Sequence, residues 1–186
     1  TTDDQHCRTV FERWSLSHPE IAFKLSHNDK EIYNLNNNDL LGRTVDLYGS
    51  SYGQKYFTIA EIAGEDLTLS GYVYHPAYLE QNKNLQIFFV NGRYVRDKVI
   101  QSAIKQGFSG VLHHEHNPNY VLFLTINPAD IDVNVHPSKS EVRFKDSGAI
   151  HSFISRSLKK ALGLTLSSTL AEDSFTSRNH DSDHYT

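Results

Sequence analysis

Two stretches of this chain concentrate side chains that could do chemistry. The first is Phe88-Phe89-Val90-Asn91-Gly92-Arg93-Tyr94-Val95-Arg96-Asp97-Lys98. An apolar run reads as a buried strand, and Asn-Gly breaks it as a corner. Arg93, Arg96 and Lys98 then emerge within six residues. Cations fixed just outside a rigid strand can meet phosphates without a conformational search, and each such contact releases a counterion from a duplex. The second stretch is Asn127-Pro128-Ala129-Asp130-Ile131-Asp132-Val133-Asn134-Val135-His136-Pro137-Ser138-Lys139-Ser140-Glu141-Val142-Arg143-Phe144. Here Asp132, Asn134 and His136 alternate with Ile131, Val133 and Val135, which gives one hydrogen-bonding and one apolar face. Pro137 ends strand pairing and offers Lys139 from a loop. A loop lysine is a strongly hydrated point charge on a flexible stem, suited to a phosphate. On residue types alone the simpler readings are preferred: a solvated strand end for the first segment and an exposed loop lysine for the second.

Other combinations carry less. His113-His114-Glu115-His116 lacks the spacing of a helical zinc site, and Pro118 follows closely, so it reads as a polar loop. Ser, His and Asp residues occur without a nucleophile-elbow pattern. Cys7 is the only cysteine, which excludes an internal disulfide or a cysteine-based zinc site and fits a reducing compartment. Beside an apolar helical stripe it reads as a small core residue.

The elements that must position these segments follow from periodicity. Cys7, Val10, Phe11 and Trp14 share one helical face, and His18-Pro19 ends that helix. Ile21, Phe23 and Leu25 alternate as a half-buried strand, and residues 31–35 return as its hairpin partner across a polar turn. Asp39 is a good N-cap for a short helix with Leu40, Leu41 and Val45 inward, stopped near Gly49. Residues 56–62 and 67–73 read as two strands joined by a tight turn, and 75–84 as a polar connection. Asp97 can cap a helix with Ile100, Ala103, Ile104 and Phe108 on one face. Residues 120–126 form a continuous apolar run, as in a central strand buried on both faces. Residues 141–144 read as a short strand, and Ile150, Phe153, Ile154, Leu158 and Ala161 mark a last helix. Beyond Leu164 the apolar periodicity fades, so residues 164–186 are expected to be a disordered linker. Mixed helices and strands with one sheet imply an α+β sandwich of two layers.

At 186 residues, with ten Tyr and ten Phe, the chain has enough apolar area for one domain with a real core. No apolar run approaches the roughly 20 residues of a membrane helix, so no membrane association is expected. The net charge of −4 is unevenly spread. Residues 1–82 hold 6 basic and 12 acidic side chains, residues 83–160 hold 11 and 6, and residues 161–186 hold 1 and 4. A basic zone within an acidic chain points to a directed anionic partner. The acidic start lacks an initiator Met, from which an excised segment of a longer protein is expected.

Both segments resemble the most characteristic stretches of the MutL family of DNA mismatch-repair proteins. These are the strand running into Asn91-Gly92-Arg93 and the thirteen positions 132–144, with Ser138 and Ser140 in the variable places. The resemblance covers about residues 1–160 and is more specific in the second segment. Asn91-Gly92-Arg93 is closer to the bacterial members. The resemblance implies a transducer domain over 20–163, preceded by a linker helix over 1–19 and followed by a linker toward a C-terminal dimerisation domain. It implies a ribosomal-protein-like domain-2 fold with a left-handed βαβ crossover, shared with type II topoisomerases, whose gyrase-B-like transducer is the alternative reading; the 132–144 stretch argues for MutL.

The resemblance further implies that Lys139 reaches the γ-phosphate of ATP held by a preceding GHKL domain, with Mg2+, while this chain itself holds no cofactor and is inactive alone. Lys98 matches a DNA-binding basic residue, with Arg93 and Arg96 as its neighbours, and Asp132, Asn134, His136 and Pro137 shape the lysine loop. The implied partners are DNA, a MutS-type mismatch-recognition protein, a downstream repair endonuclease or helicase, and a second copy in a homodimer. The implied location is the bacterial cytoplasm, at the nucleoid.

Overall fold

The longest apolar strand of the chain sits where its composition requires, in the middle of a sheet. In the computed structural model, which describes residues 2–80, 83–113, 116–133 and 141–178 (side chains of 133 and 164–178 excepted), the elements are α1 (Thr2–Ser17), β1 (Phe23–His27), β2 (Lys30–Leu35), α2 (Leu40–Tyr48), β3 (Tyr56–Ala63), β4 (Leu67–Tyr74), β5 (Gln86–Val90), β6 (Arg93–Tyr94), α3 (Lys98–Gly107), β7 (Asn119–Thr125), β8 (Ile131–Val133), β9 (Val142–Phe144) and α4 (Ser147–Arg178). Strands β3-β4-β7-β5-β6 form one sheet in that order. β7 pairs antiparallel with β4 and parallel with β5, so it has no free edge. The parallel step requires a crossover, and α3 lies within it. β1–β2 and β8–β9 are separate antiparallel pairs. The architecture is therefore α+β, a mixed sheet with helices packed on it, as the pattern predicts.

Alternation along the strands divides the core. Leu69, Val73, Phe88, Val90, Leu122 and Leu124 meet Ile100 and Ile104 of α3 and Ile154 and Leu158 of α4. The other face carries Tyr74, Val121, Ile87 and Phe123, and meets Tyr48 of α2 and Tyr52 of a short 3-10 turn. Aromatic rings fit edge to face there: Tyr52 and Tyr74 lie 5.1 Å apart at 83°. Asn119 seals this end. Its buried Oδ1 accepts from the Tyr52 hydroxyl (3.1 Å) and from the Leu85 backbone N–H (2.7 Å). On the helical face, α3 and α4 approach closely because Gly107 has no side chain. A Cβ there would lie 2.6 Å from Leu158 Cβ.

Helix α1, hairpin β1–β2 and α2 are tied together by one buried cation. Arg43 is fully buried. Its Nη1 donates to the Ser15 carbonyl (2.7 Å), and Nη2 donates to the carbonyls of Pro19 (3.0 Å), Ile21 (2.9 Å) and Asn36 (2.7 Å). Burial pushes its pKa down, opposed by the carboxylates of Asp46 and Glu20. The planar fork suits this task, because one group reaches carbonyls from α1, the following turn and the exit of β2.

Four expectations need correction. Cys7 is exposed rather than a core residue, Val10 is exposed, and Trp14 is 59% exposed. The helix buries Ser15 and Leu16 instead, and Phe11 stacks on Tyr33. Periodicity identifies an apolar face but not what covers it. Ile21 precedes the strand and is exposed, and it is its carbonyl, not its side chain, that turns inward to Arg43. In α2 the buried residues are Arg43 and Thr44, with Leu40, Leu41 and Val45 half-buried. Finally, α4 continues to Arg178, past the point where periodicity fades. Good helix formers such as Ala161, Leu164, Leu166 and Ala171 favour helix without an apolar stripe.

Two stability outcomes follow from these contacts. Arg43→Met should cost about 3 kcal/mol, since one buried and three partly buried carbonyls lose their donor together. Urea denaturation checks this, and a loss below that of a surface substitution contradicts the role. Gly107→Val should cost about 1–3 kcal/mol through overpacking, read as a lowered Tm in calorimetry.

Candidate nucleic-acid interface

The first segment forms a corner held by its asparagine. Asn91 and Gly92 both have positive φ (47° and 79°), as a tight hairpin turn with the twist of its strands requires. The Asn91 side chain donates from Nδ2 to the Ile126 carbonyl (2.9 Å) and accepts from the Ile126 N–H (3.0 Å), while its backbone N–H donates to Leu124 (2.9 Å). An amide here extends the ladder of β7 as another residue of strand would. Beyond the turn, Val90 pairs with Arg93 and Phe89 with Tyr94. Asp97 then caps α3, accepting from Val99 (2.8 Å) and Ile100 (3.2 Å).

This scaffold places Arg93, Arg96 and Lys98 at the surface, all exposed. Val95, between the arginines, is buried and holds the segment down, and its N–H donates to Phe88 (2.9 Å). Lys98 opens α3, so a cationic side chain starts from the positive end of the helix dipole. The aspartate cap answers part of that field.

Helix α1 reaches the same corner with a residue that sequence reasoning missed. The guanidinium of Arg13 lies 3.6 Å over the Tyr94 ring. Its neighbour Glu12 lines the same cleft and accepts from the hydroxyls of Tyr33 (2.6 Å) and Tyr48 (3.4 Å). Burial, then the Glu12 carboxylate, pushes the Tyr33 phenol up to about 12, and the same causes raise Tyr48. These phenols therefore remain neutral donors to Glu12. Arg13 and Arg96 line one cleft of about 270 Å³ between α1, β5 and α3. No spacing in the sequence links Arg13 to the corner, because the contact is made in space from 81 positions away.

The second segment converges on the same place. β8 and β9 pair in register, with Asp132 opposite Arg143, and Ile131, Val142 and Phe144 pack on the main core. Asp132 is exposed. Lys139, Asn134, His136 and Pro137 lie outside the described residues. The β9 side of the pair is described, and Glu141, Val142, Arg143 and Phe144 share a hollow of about 250 Å³ with Asp97 and Val99 at the start of α3. The two motif segments, some forty positions apart in the chain, thus meet at one helix terminus. Among the described residues no three His, Cys, Asp or Glu side chains group to hold a metal ion, and no helix is long and apolar enough to cross a membrane.

Comparison with known proteins agrees with these landmarks. Residues 44–163 match the family described as DNA mismatch repair protein, C-terminal domain. The DNA mismatch repair protein MutL of Janthinobacterium sp. (strain Marseille) is 40% identical over 164 residues, covering 88% of this chain and 27% of that protein. MutL of Coxiella burnetii (strain Dugway 5J108-111) is 41% identical over 165 residues, covering 87% of this chain and 29% of that protein. The chain therefore spans under a third of these relatives' length. Among solved structures, an N-terminal domain of a DNA repair protein aligns with TM-score 0.67 at 17% identity, over 83% of this chain and 52% of that one. A point variant of the Aquifex aeolicus MutL ATPase domain aligns with TM-score 0.53 at 16% identity, over 82% and 52%. These likenesses show the shared fold, and the matches do not favour the topoisomerase alternative. With the family match running through both motif segments and MutL proteins at about 40% identity along most of its length, the chain belongs to the MutL-type DNA mismatch repair family.

Proposed function

We infer that this chain is the transducer of a mismatch-repair ATPase, coupling a nucleotide held by a neighbouring GHKL domain to DNA contact. The observation that carries the reading is the meeting of the two motif segments at the start of α3. A displacement of the hairpin base β8–β9 would be felt at Asp97 and Val99, and hence by Lys98 and Arg96. Such coupling needs two arrangements that nucleotide and DNA both bias.

Within this reading Lys139 offers its ammonium to the γ-phosphate across the domain boundary, stabilising charge on the transferred group. ATP and Mg2+ belong to the neighbouring domain. Asp132, Asn134, His136 and Pro137 set the lysine loop's shape. Arg93, Arg96 and Lys98 contact DNA phosphates. α1, over residues 1–19, links the ATPase core to the transducer over 20–163, and residues 164–186 lead toward the dimerisation domain. The exposed Trp14 and Val10 on α1 suit burial against that core. The whole protein works as a cytoplasmic, nucleoid-associated homodimer with DNA, a MutS-type protein and a downstream endonuclease or helicase.

Two experiments test the assignments. Lys139→Ala in the full-length protein should cut ATPase turnover by about 10²-fold or more with the fold intact; wild-type turnover in a steady-state phosphate-release assay removes the lysine from the site. Lys98→Glu should weaken duplex binding and lower the slope of log K against log salt by about one or more. An unchanged slope in fluorescence anisotropy excludes Lys98 from the interface.

A further inference from the structure

The solvent face of α3 continues the basic corner. Lys98, Gln101, Ser102 and Lys105 fall at i, i+3, i+4 and i+7, all exposed, while Ile100, Ala103, Ile104 and Gly107 are buried beneath them. The cleft holding Arg13 and Arg96 does not end at α3. It shares Gln86, Gln101 and Tyr120 with a larger hollow of about 600 Å³, whose far side is formed by Lys105, His113 and His116. The two hollows form one groove, with guanidinium groups at one end, amides in the middle, and an ammonium with two imidazoles at the other.

The acidic groups along this groove are already engaged. Asp97 is turned onto the N–H groups of α3, and Glu12 onto the hydroxyls of Tyr33 and Tyr48. No described residue lining the larger hollow is acidic. Nδ1 of His116 is buried and has no hydrogen-bond partner. A buried polar nitrogen without a partner is costly, so this wall of the hollow keeps a polar group that the protein alone does not satisfy.

We propose that the phosphate-contacting surface extends from the Asn91-Gly92 corner along α3 to Lys105, His113 and His116, so that this groove takes a run of nucleic-acid sugar-phosphate backbone. The inference rests on the DNA-binding reading of Arg93, Arg96 and Lys98, and adds a second group of contacts to it. Amide side chains at Gln86 and Gln101 can donate to phosphate or sugar oxygens without selecting a base, as backbone-positioning contacts do.

The test is binding of a short labelled DNA duplex to the 186-residue chain over a salt titration. The variants are Lys105→Gln, His113→Ala, His116→Gln and Lys98→Gln, with Lys24→Gln on β1 as a control for loss of one exposed charge. Lys105→Gln should weaken binding about five- to tenfold at 0.1 M salt and lower the salt slope by about one. His113→Ala and His116→Gln should each weaken binding about two- to fivefold, as expected for loss of one contact to the backbone. Because His116 is half-buried, NMR of the wild-type imidazoles gives an independent reading: the His113 and His116 resonances should move when duplex is added. If Lys105→Gln behaves as Lys24→Gln does and the imidazole resonances stay in place, while Lys98→Gln lowers the slope, the extension is wrong and the corner stands. If Lys98→Gln also matches the control, the DNA-binding reading fails and the extension falls with it.

Discussion

A single guanidinium decides how the first third of this chain is arranged. Arg43 has no carboxylate within ion-pair distance in the described structure; its hydrogen bonds go to backbone carbonyls instead. Those carbonyls come from the end of α1, the turn after it and the exit of β2; the Ser15 bond is buried and the other three are partly buried, and an acceptor removed from water must find a donor. A buried charge is tolerated only when it is well bonded, so the cation and the chain path around it require one another. The consequence is positional. α1 is fixed to α2 near Ser15, and two residues earlier Arg13 is thereby brought over Tyr94.

The corner itself is rigid for a related reason. Asn91 and Asn119 each satisfy backbone groups at the ends of neighbouring strands with a side-chain amide, Ile126 just past β7 for one and Leu85 just before β5 for the other. One closes the end of β7 that carries the basic residues, and the other closes the opposite end. With both ends of the central strand pinned, Arg93, Arg96 and Lys98 start from fixed Cα positions. Ordering a long cationic side chain costs entropy in any complex. A scaffold already ordered leaves only the side chains to be fixed on binding.

Much of this was legible beforehand, and the gaps have physical causes. The continuous apolar run of β7, the alternation in β4 and the Asp97 cap are local patterns, and local patterns report local structure. The long motif from 132 to 144 carried the family resemblance, and with it the site assignments. What could not be read is tertiary. Trp14 and Val10 make a convincing apolar stripe, yet they are exposed, because pattern says nothing of which surface meets it. Arg43 looks like a surface cation on an amphipathic helix until three other segments close around it. Arg13 and His116 acquire meaning only from neighbours distant in sequence, Tyr94 for one and the α3 groove for the other.

Net charge alone would argue against a phosphate-binding surface on this chain, since the sum is −4. Range resolves the conflict. At about 0.1 M salt, charges separated by more than roughly 10 Å are largely screened, so a phosphate feels the groups beside it and little of the total. Most of the excess of carboxylates lies in residues 1–82 and beyond 160, whereas residues 83–160 hold nearly twice as many basic as acidic side chains. The fold then sharpens that imbalance. It turns the carboxylates of Glu12 and Asp97 onto hydroxyl and N–H donors and leaves the cations of the corner and of α3 facing solvent. An acidic protein with a basic groove has a further advantage over a uniformly basic one. Its remaining surface repels a polyanion, so a duplex is held only in the orientation that the groove allows.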